Sequence, residues 1–569
     1  INGVEIYRPF LVRSGQQEGL SIINPDMVKG IGFSTGGFEA KYGDKMSSAL
    51  DITYKQPKKF EVKVSGSMLG ASAYVGFSTK KFSWSNKPNF LDYQTYLTYK
   101  PNKRWTVEFM GDISDNHYNF TPSDRETNFG TMENVKSFKV YFDGKEKDLF
   151  RTYFGTFTIT RHFTDKTSLS FIGSAYSTNE QEKYDIQGQY WLTQTETSEN
   201  LGVGTYMEHA RNYLKANVKS LKLAFAHKAK RHDILAGLTY KIEHVDEYSR
   251  EYEMRDSSGY NIPHTGEDLK MVYSLRAHNK LDANRLEAYI QDTYKFMSSG
   301  QHTFFTLNYG VRFSHWNFNR ETIFKELRDT TTVEGTTYAS LNRKIKSQRS
   351  IHFIAAYDYK FKLNDRPYKF TAEAYYKALA DIVPYSVNNV KVVYDASQQC
   401  SGHSIGVDLK LYGEFVPGTD SWVSLSLMDT KINLNGVSIP MPTDQRYALN
   451  LYFTDYFPGT DKWRMSLKLA FADGLPFGPP HKELSSMQFR APAYKRADIG
   501  MSYRLFDREK SEKKKSVFKN VWLGIDCLNL FGINNVNSYY WITDVTNQQY
   551  AVPNYLTGRQ INARLSVEF

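Results

Sequence analysis

The residues that could carry chemistry are plentiful, but they form no catalytic or metal-binding pattern. Thirteen histidines are scattered through 569 residues, with no HExxH pair and no spacing that would give zinc three ligands. Cys400 and Cys527 are the only thiols. They form no CxxC pair, so neither a zinc site nor a disulfide framework is expected, and both are read as free. Gly30–Gly37 (GIGFSTGG) contains a GxG, but nothing after it reads as a dinucleotide-binding βαβ unit. Carboxylates within alternating segments, such as Glu373, are read as solvated charges rather than acid/base catalysts. No catalytic residue, resident metal or cofactor is expected, so the chain is not read as an enzyme.

The elements that must position these residues are strands. Ile561, Ala563, Leu565, Val567 and Phe569 share one face, while Asn562, Arg564, Ser566 and Glu568 share the other. The same period of two runs through Trp463–Phe471, Phe305–Phe313 and Ile234–Ile242. Such alternation marks strands with two different environments. It fills the chain from about residue 60 onwards, with almost nothing helical between.

Composition says what those environments are. Tyr (41) and Phe (37) bring the aromatic share to 15%, yet mean hydropathy is −0.54. No stretch approaches the roughly 18 apolar residues of a spanning helix. A transmembrane barrel reconciles the two, because lipid-facing and lumen-facing residues alternate. Net charge is +11, but the cations are dispersed, so nucleic acid is not an expected partner. Outer-membrane lipid and polyanionic lipopolysaccharide are, with Lys and Arg near an outer rim. The densest charge run, Asp507–Ser516, reads as a solvated turn. Trp105, Trp422 and Trp463 each follow a short turn and suit an interfacial aromatic girdle.

Connections fall into two classes. Short polar turns are read at Pro101–Arg104, Thr164–Lys166, Lys228–Arg231, Ser298–Gln301 and Asn364–Arg366, and Pro417–Asp420 and Pro458–Asp461 both spell PGTD. Long polar connections are read near 118–147, 184–208, 251–282, 318–346, 383–400, 474–493 and 532–557. Short turns on one rim and long loops on the other are the pattern of outer-membrane barrels. About twenty antiparallel strands can be counted, and a barrel this wide conducts or is plugged.

Residues 1–55 read differently, as a small α/β piece preceding a barrel over 56–569. Asn24-Pro25-Asp26 suits a helix start, and Gly36, Gly37 and Gly43 mark tight turns. The run from Asn24-Pro25-Asp26 through Ser34-Thr-Gly-Gly-Phe-Glu-Ala-Lys-Tyr42-Gly43-Asp44 to Ala49-Leu-Asp-Ile resembles the C-terminal half of the plug domain of TonB-dependent receptors. Ile439–Arg446, Gly474-Leu-Pro-Phe-Gly-Pro-Pro and Leu528-Asn-Leu-Phe-Gly-Ile-Asn-Asn-Val-Asn also fit that family, and terminal Phe569 fits its barrel-assembly signal.

The resemblance implies a barrel of about 22 strands in the outer membrane of a Gram-negative bacterium. It also implies a plug inside the barrel and uptake of a bulky, scarce nutrient driven by TonB, with substrate-binding residues unknown. With Ile1 in place of Met, the chain is read as a portion of a longer precursor, in which the TonB box and first plug half would be expected upstream. A surface lipoprotein is a further possible partner. The alternative reading is a non-transporting scaffold in a multi-subunit outer-membrane assembly or secretion complex.

Overall fold

The computed structural model describes every residue except 8–22, 24, 35–37, 44–47, 69, 89–91, 132–133, 256–268, 298–302, 318–327, 334–335, 342–344, 389–390, 396, 480–483, 487–488, 510–515 and 544–547. The alternating segments form antiparallel strands that close into a barrel. Closure joins the two ends of the wall: Glu61–Ser67 pairs with Gln560–Glu568, Val64 opposite Val567. Lipid offers a backbone no hydrogen-bond partner, so a spanning sheet cannot leave an open edge.

Among the described residues the closed sheet holds twenty-four strands. Four of these, Arg125–Thr131, Arg328–Val333, Thr336–Leu341 and Val437–Pro440, are short arms of hairpins at the long-loop rim. The remaining twenty run alternately up and down the wall. That matches the count from alternation and is two fewer than the resemblance implies.

Register sorts the two faces. Leu411, Val423 and Leu451 lie directly opposite one another across three strands and continue into Leu469 and Ala497, giving an unbroken apolar outer face. The other face carries buried polar side chains such as Thr98, Asp112, Ser114 and Asn116. The two PGTD turns share one conformation, with Gly418 and Gly459 both at φ 79°. A type II turn requires this at its third residue, after proline.

The apolar outer band ends above in ion pairs. Arg151 meets Asp115 at 2.8 Å, Arg349 meets Asp381 at 2.7 Å and Lys431 meets Asp429 at 3.0 Å. One side of the wall continues far beyond this level. Asn134–Thr164, Thr167–Gln194, Asn200–Lys228, His232–Arg255 and Lys270–Met297 run 31, 28, 29, 24 and 28 residues, where roughly 9–11 suffice to cross a membrane. Much of what the sequence suggests as loop is therefore hairpin. The connection placed at 184–208 shrinks to 195–199, because Thr167–Gln194 and Asn200–Lys228 pair up to Thr193 and Asn200. Other long connections carry small hairpins: Tyr385–Asn388 with Lys391–Tyr394, Pro476–Phe477 with Phe489–Arg490, and Val536–Thr543 with Gln549–Tyr555.

Within 1–55 the expected helix start is a single 3-10 turn, Pro25–Met27. The chain passes at once into the strand Val28–Ser34, which pairs antiparallel with Ala49–Tyr54. Val28, Gly30, Ile31 and Gly32 disfavour a helix, and the β-branched pair favours extension. Met27, Ile52 and Tyr54 pack into the wall among Tyr74, Tyr96, Met110, Phe154, Tyr176 and Val218. The piece thus lies in the lumen against one side of the barrel.

Candidate functional site

The contact between this inner piece and the wall brings several charged groups together in the lumen. It is built from polar residues on the inward face of four strands. Lys241, on His232–Arg255, places Nζ 2.9 Å from Glu5 and 3.3 Å from Glu287. Glu287 also accepts from Arg312 at 2.9 Å, and Arg312 Nη1 reaches the Lys41 carbonyl at 3.2 Å. Gln291 closes the set, accepting from the Lys41 N–H at 2.9 Å and donating to Glu39 at 3.2 Å. Lys222 donates to the Gly3 carbonyl at 3.0 Å.

Each of these bonds exchanges protein for water at modest net gain, about 0.5–1.5 kcal/mol for a neutral pair and more where a charge takes part. The apolar knot around Tyr54 and this polar set hold the piece against adjoining strands of the wall. Tyr42 donates to Asp51 at 2.7 Å; burial first, then that bond, pushes its phenol up to about 12. Burial also pushes the Tyr7 phenol up, and its ring meets Tyr176 of the wall at 5.5 Å. Both phenols therefore stay neutral donors under ordinary conditions.

The opposite end of the lumen is roofed. The hairpin Val536–Thr543/Gln549–Tyr555 buries Ile542 and Val552 against Phe138, Val140, Tyr190 and Leu192 of the extended wall. Arg125 fastens this roof, donating from Nη1 to Asn554 at 2.7 Å with its guanidinium 4.9 Å from the Tyr540 ring centre. Among the described residues its buried Nε and Nη2 have no hydrogen-bond partner. On the roof's other face Phe477 stacks on Tyr539 at 4.0 Å. Below it Arg490 binds both Asp444 and Asp473, and Arg446 binds Asp473 at 2.5 Å.

The residues picked out by sequence divide as follows. Asn24, Gly36, Gly37 and Asp44 lie outside the described residues. Pro25 opens the 3-10 turn. Asp26 bridges to Lys63 of the wall at 2.6 Å. Tyr42 binds Asp51, as above. Gly43 lies under Arg312, where a Cβ would come within 2.2 Å of Nε. Phe569 hydrogen-bonds Val62 across the closing seam at 2.9 Å, its ring 5.3 Å from Phe518. Cys400 and Cys527 are both free thiols.

Trp105 and Trp463 lie on the outer face near the short-turn rim, beside Arg161 at 4.7 Å and Tyr503 at 4.6 Å. Trp422 does not join them. It faces the lumen between Lys410 and Tyr452, because a register shift between Gly413 and Val416 re-phases its hairpin by one residue and so swaps the faces.

Lys241, Glu287, Gln291 and Arg312 were not singled out from sequence. Their only signal is polarity on the inward face, which most barrel positions share. The letters Gly32-Phe33-Ser34-Thr35-Gly36 match GxSxG, but Ser34 pairs with Ala49 in a two-stranded antiparallel sheet, unlike a hydrolase elbow at the top of a large α/β sheet. No group of three or more His, Cys, Asp or Glu among the described residues is placed to hold a metal ion.

No family model and no curated protein matches the chain in sequence. Solved structures do match in fold. BauA, the ferric preacinetobactin receptor from Acinetobacter baumannii, superposes with a TM-score of 0.59 at 10% identity, covering 97% of this chain and 87% of BauA. FpvA of P. aeruginosa, solved bound to heterologous pyoverdines, gives 0.53 at 10% identity over 94% of this chain and 75% of FpvA. The outer membrane transporter YddB from Escherichia coli gives 0.52 at 10% identity over 100% and 89%. The chain has the barrel fold of these outer-membrane receptors and transporters.

Proposed function

We propose that the protein is an outer-membrane transporter that takes up a bulky, scarce nutrient through its plugged barrel, energised by TonB. The observation that carries this reading is the inner piece itself. It is held against the wall by an apolar knot and, on the adjoining strands, by exchangeable polar contacts centred on Lys241, Glu287 and Arg312. A passive pore needs no such piece, whereas a pulled gate needs one that is held firmly yet can be released. The names of two fold neighbours, which concern ferric compounds, make chelated iron the first ligand class to test. No catalytic role is proposed. Phe569, tied into the closing seam, is proposed as the signal read by the barrel-assembly machinery.

The test is uptake of radiolabelled ferric chelates by cells that carry or lack the gene, with and without TonB. Accumulation that requires both supports the reading. Accumulation that ignores the gene sinks chelated iron as the cargo, and gene-dependent accumulation without TonB sinks the coupling. Purification from native membranes with mass spectrometry of co-eluting proteins checks the mode of action. A stoichiometric set of secretion or assembly components would replace transport by scaffolding.

A further inference from the structure

We infer that a row of five cations on the outer face of the extended wall binds the phosphate groups of an outer-leaflet glycolipid, an inference that rests on the membrane placement proposed above. Cross-strand register sets Lys147 opposite Lys183, Lys183 opposite Arg211, Arg211 opposite Arg250, and Arg250 opposite Arg276. The row crosses five adjacent strands, and at about 4.8 Å per strand it is roughly 19 Å long. Each member stands an even number of residues from a lipid-facing apolar residue of its own strand: Phe157, Phe171, Leu221, Tyr240 and Leu286 respectively. The pairing is continuous between these levels, so all five side chains project outwards.

Like charges placed directly opposite destabilise a sheet, and five in register multiply that penalty. The neighbourhood relieves it only in part. Arg211 pairs with Asp185 at 2.5 Å, and Lys183 sits 5.2 Å from the Tyr213 ring centre. Lys147, Arg250 and Arg276 are exposed, and among the described residues no carboxylate pairs with them. Lys145 above the row, and Lys215 and Lys280 below it, add to the excess, opposed on this face by Asp143, Asp185 and Asp246. A local rule broken without internal compensation points to an external partner, and the partner must be polyanionic.

Height identifies its type. On His232–Arg255 the outward apolar run ends at Ile242, followed by His244, and Arg250 lies four two-residue steps above Ile242. With strands tilted about 40°, each step lifts roughly 5 Å, which puts the row about 20 Å above the hydrocarbon edge. Phospholipid headgroups occupy only about 5–8 Å there. Phosphates carried on an extended sugar core reach this level. Flanking the row, one step above and one step below, lie flat rings suited to sugars, with His209 stacked on Tyr252 at 4.3 Å and Tyr213 beside Tyr248 at 6.0 Å.

The test uses the full chain in mild-detergent micelles, titrated with phosphorylated rough lipopolysaccharide, with the same glycolipid after dephosphorylation, and with inorganic tripolyphosphate. Binding is read by native mass spectrometry. The expected result is saturable, salt-sensitive binding of the phosphorylated glycolipid, at least tenfold weaker for the dephosphorylated form and for the combined variant Lys183→Gln/Arg250→Gln/Arg276→Gln. Equal binding by that variant overturns the assignment, as does indifference to dephosphorylation. Tripolyphosphate binding as tightly as the glycolipid overturns the choice of a lipid. Heat-modifiable migration on gels shows whether the variant barrel is folded. If the triple variant is not, the exposed single change Arg250→Gln is read instead, with about threefold weakening expected and none counting against the proposal. Because the assay involves no transport, its failure is separable from failure of the uptake reading.

Discussion

Lys241 reaches across the lumen gap, its ammonium 2.9 Å from Glu5 of the inner piece and 3.3 Å from Glu287 of the wall. The lysine and Glu287 are almost fully covered, at 7% and 4% side-chain exposure, while Glu5 is 38% exposed. Removing the lysine leaves Glu287 with Arg312 as its remaining ion-pair partner, so the cost falls below the about 3–5 kcal/mol of breaking an isolated buried pair and is smaller still on the solvated Glu5 side. Lys241→Met is therefore expected to loosen the inner piece while the barrel stays folded. In planar bilayers the variant should conduct more than the parent protein. Equal, low conductance would show that other contacts hold the piece.

A second expectation concerns pH. Asp148 faces the lumen in the extended wall, above the apolar band. Burial, reinforced by Glu146 and Glu182, pushes its carboxyl up to about 8 from the usual 3.8. The folded protein then binds more protons than the unfolded chain between those values, so this group's contribution to stability falls as pH rises from about 4 through 8. Asp148→Asn should raise the unfolding temperature at pH 9 and leave it nearly unchanged at pH 4. A variant no more stable than the parent at pH 9 would contradict the raised carboxyl.

The roof fastening at Arg125 can be tested by removing it. Nη1 of the guanidinium is bound to Asn554, but among the described residues the buried Nε and Nη2 have no partners. An unsatisfied buried donor costs about 1–3 kcal/mol. Arg125→Met should therefore leave the hairpin at 536–555 as well protected as before, or better, in hydrogen exchange. A marked loss of protection would mean that the single bond to Asn554 and the contact with Tyr540 outweigh that penalty.

Gly474 offers a steric test. A Cβ there would lie 1.6 Å from the Ala491 carbonyl oxygen, a backbone atom that cannot turn aside. Gly474→Ala must push the Pro476–Phe477 and Phe489–Arg490 strands apart and strain the Arg490 pairs with Asp444 and Asp473. Rapid proteolysis between 474 and 491, with the barrel intact, is the expected outcome. Unchanged resistance would place the two segments farther apart than described.

Much of the wall was legible in the sequence because lipid on one side and water on the other impose period two. Leu467 and Leu469 against Ser466 and Lys468 is a pattern with one cause. The PGTD turns were legible for a similar reason, since proline and a glycine at positive φ specify one turn. Above the lipid both faces are polar, so Lys183, Asp185 and Gln187 alternate with nothing recognisable and read as loop, although they lie in a paired strand. The face of Trp422 depends on a register shift at Gly413–Val416, and nothing in the residue types announces it. The lumen set escaped notice because Lys241 and Glu287 lie on different strands and acquire meaning only once the register is known.

The seam between Glu61–Ser67 and Gln560–Glu568 sets a condition on biosynthesis. Ser65 and Ser566, whose hydroxyls lie 3.4 Å apart, are 501 residues apart in sequence, so the ring cannot shut until the last strand has been delivered. Before that moment every intermediate is an open sheet with two raw edges, each a template for pairing with another chain. The molecule therefore has no partly finished form that is safe in the membrane. Shortening a hairpin at the long-loop rim should be survivable, whereas losing a single wall strand should leave the nascent sheet dependent on whatever machinery guards its edges.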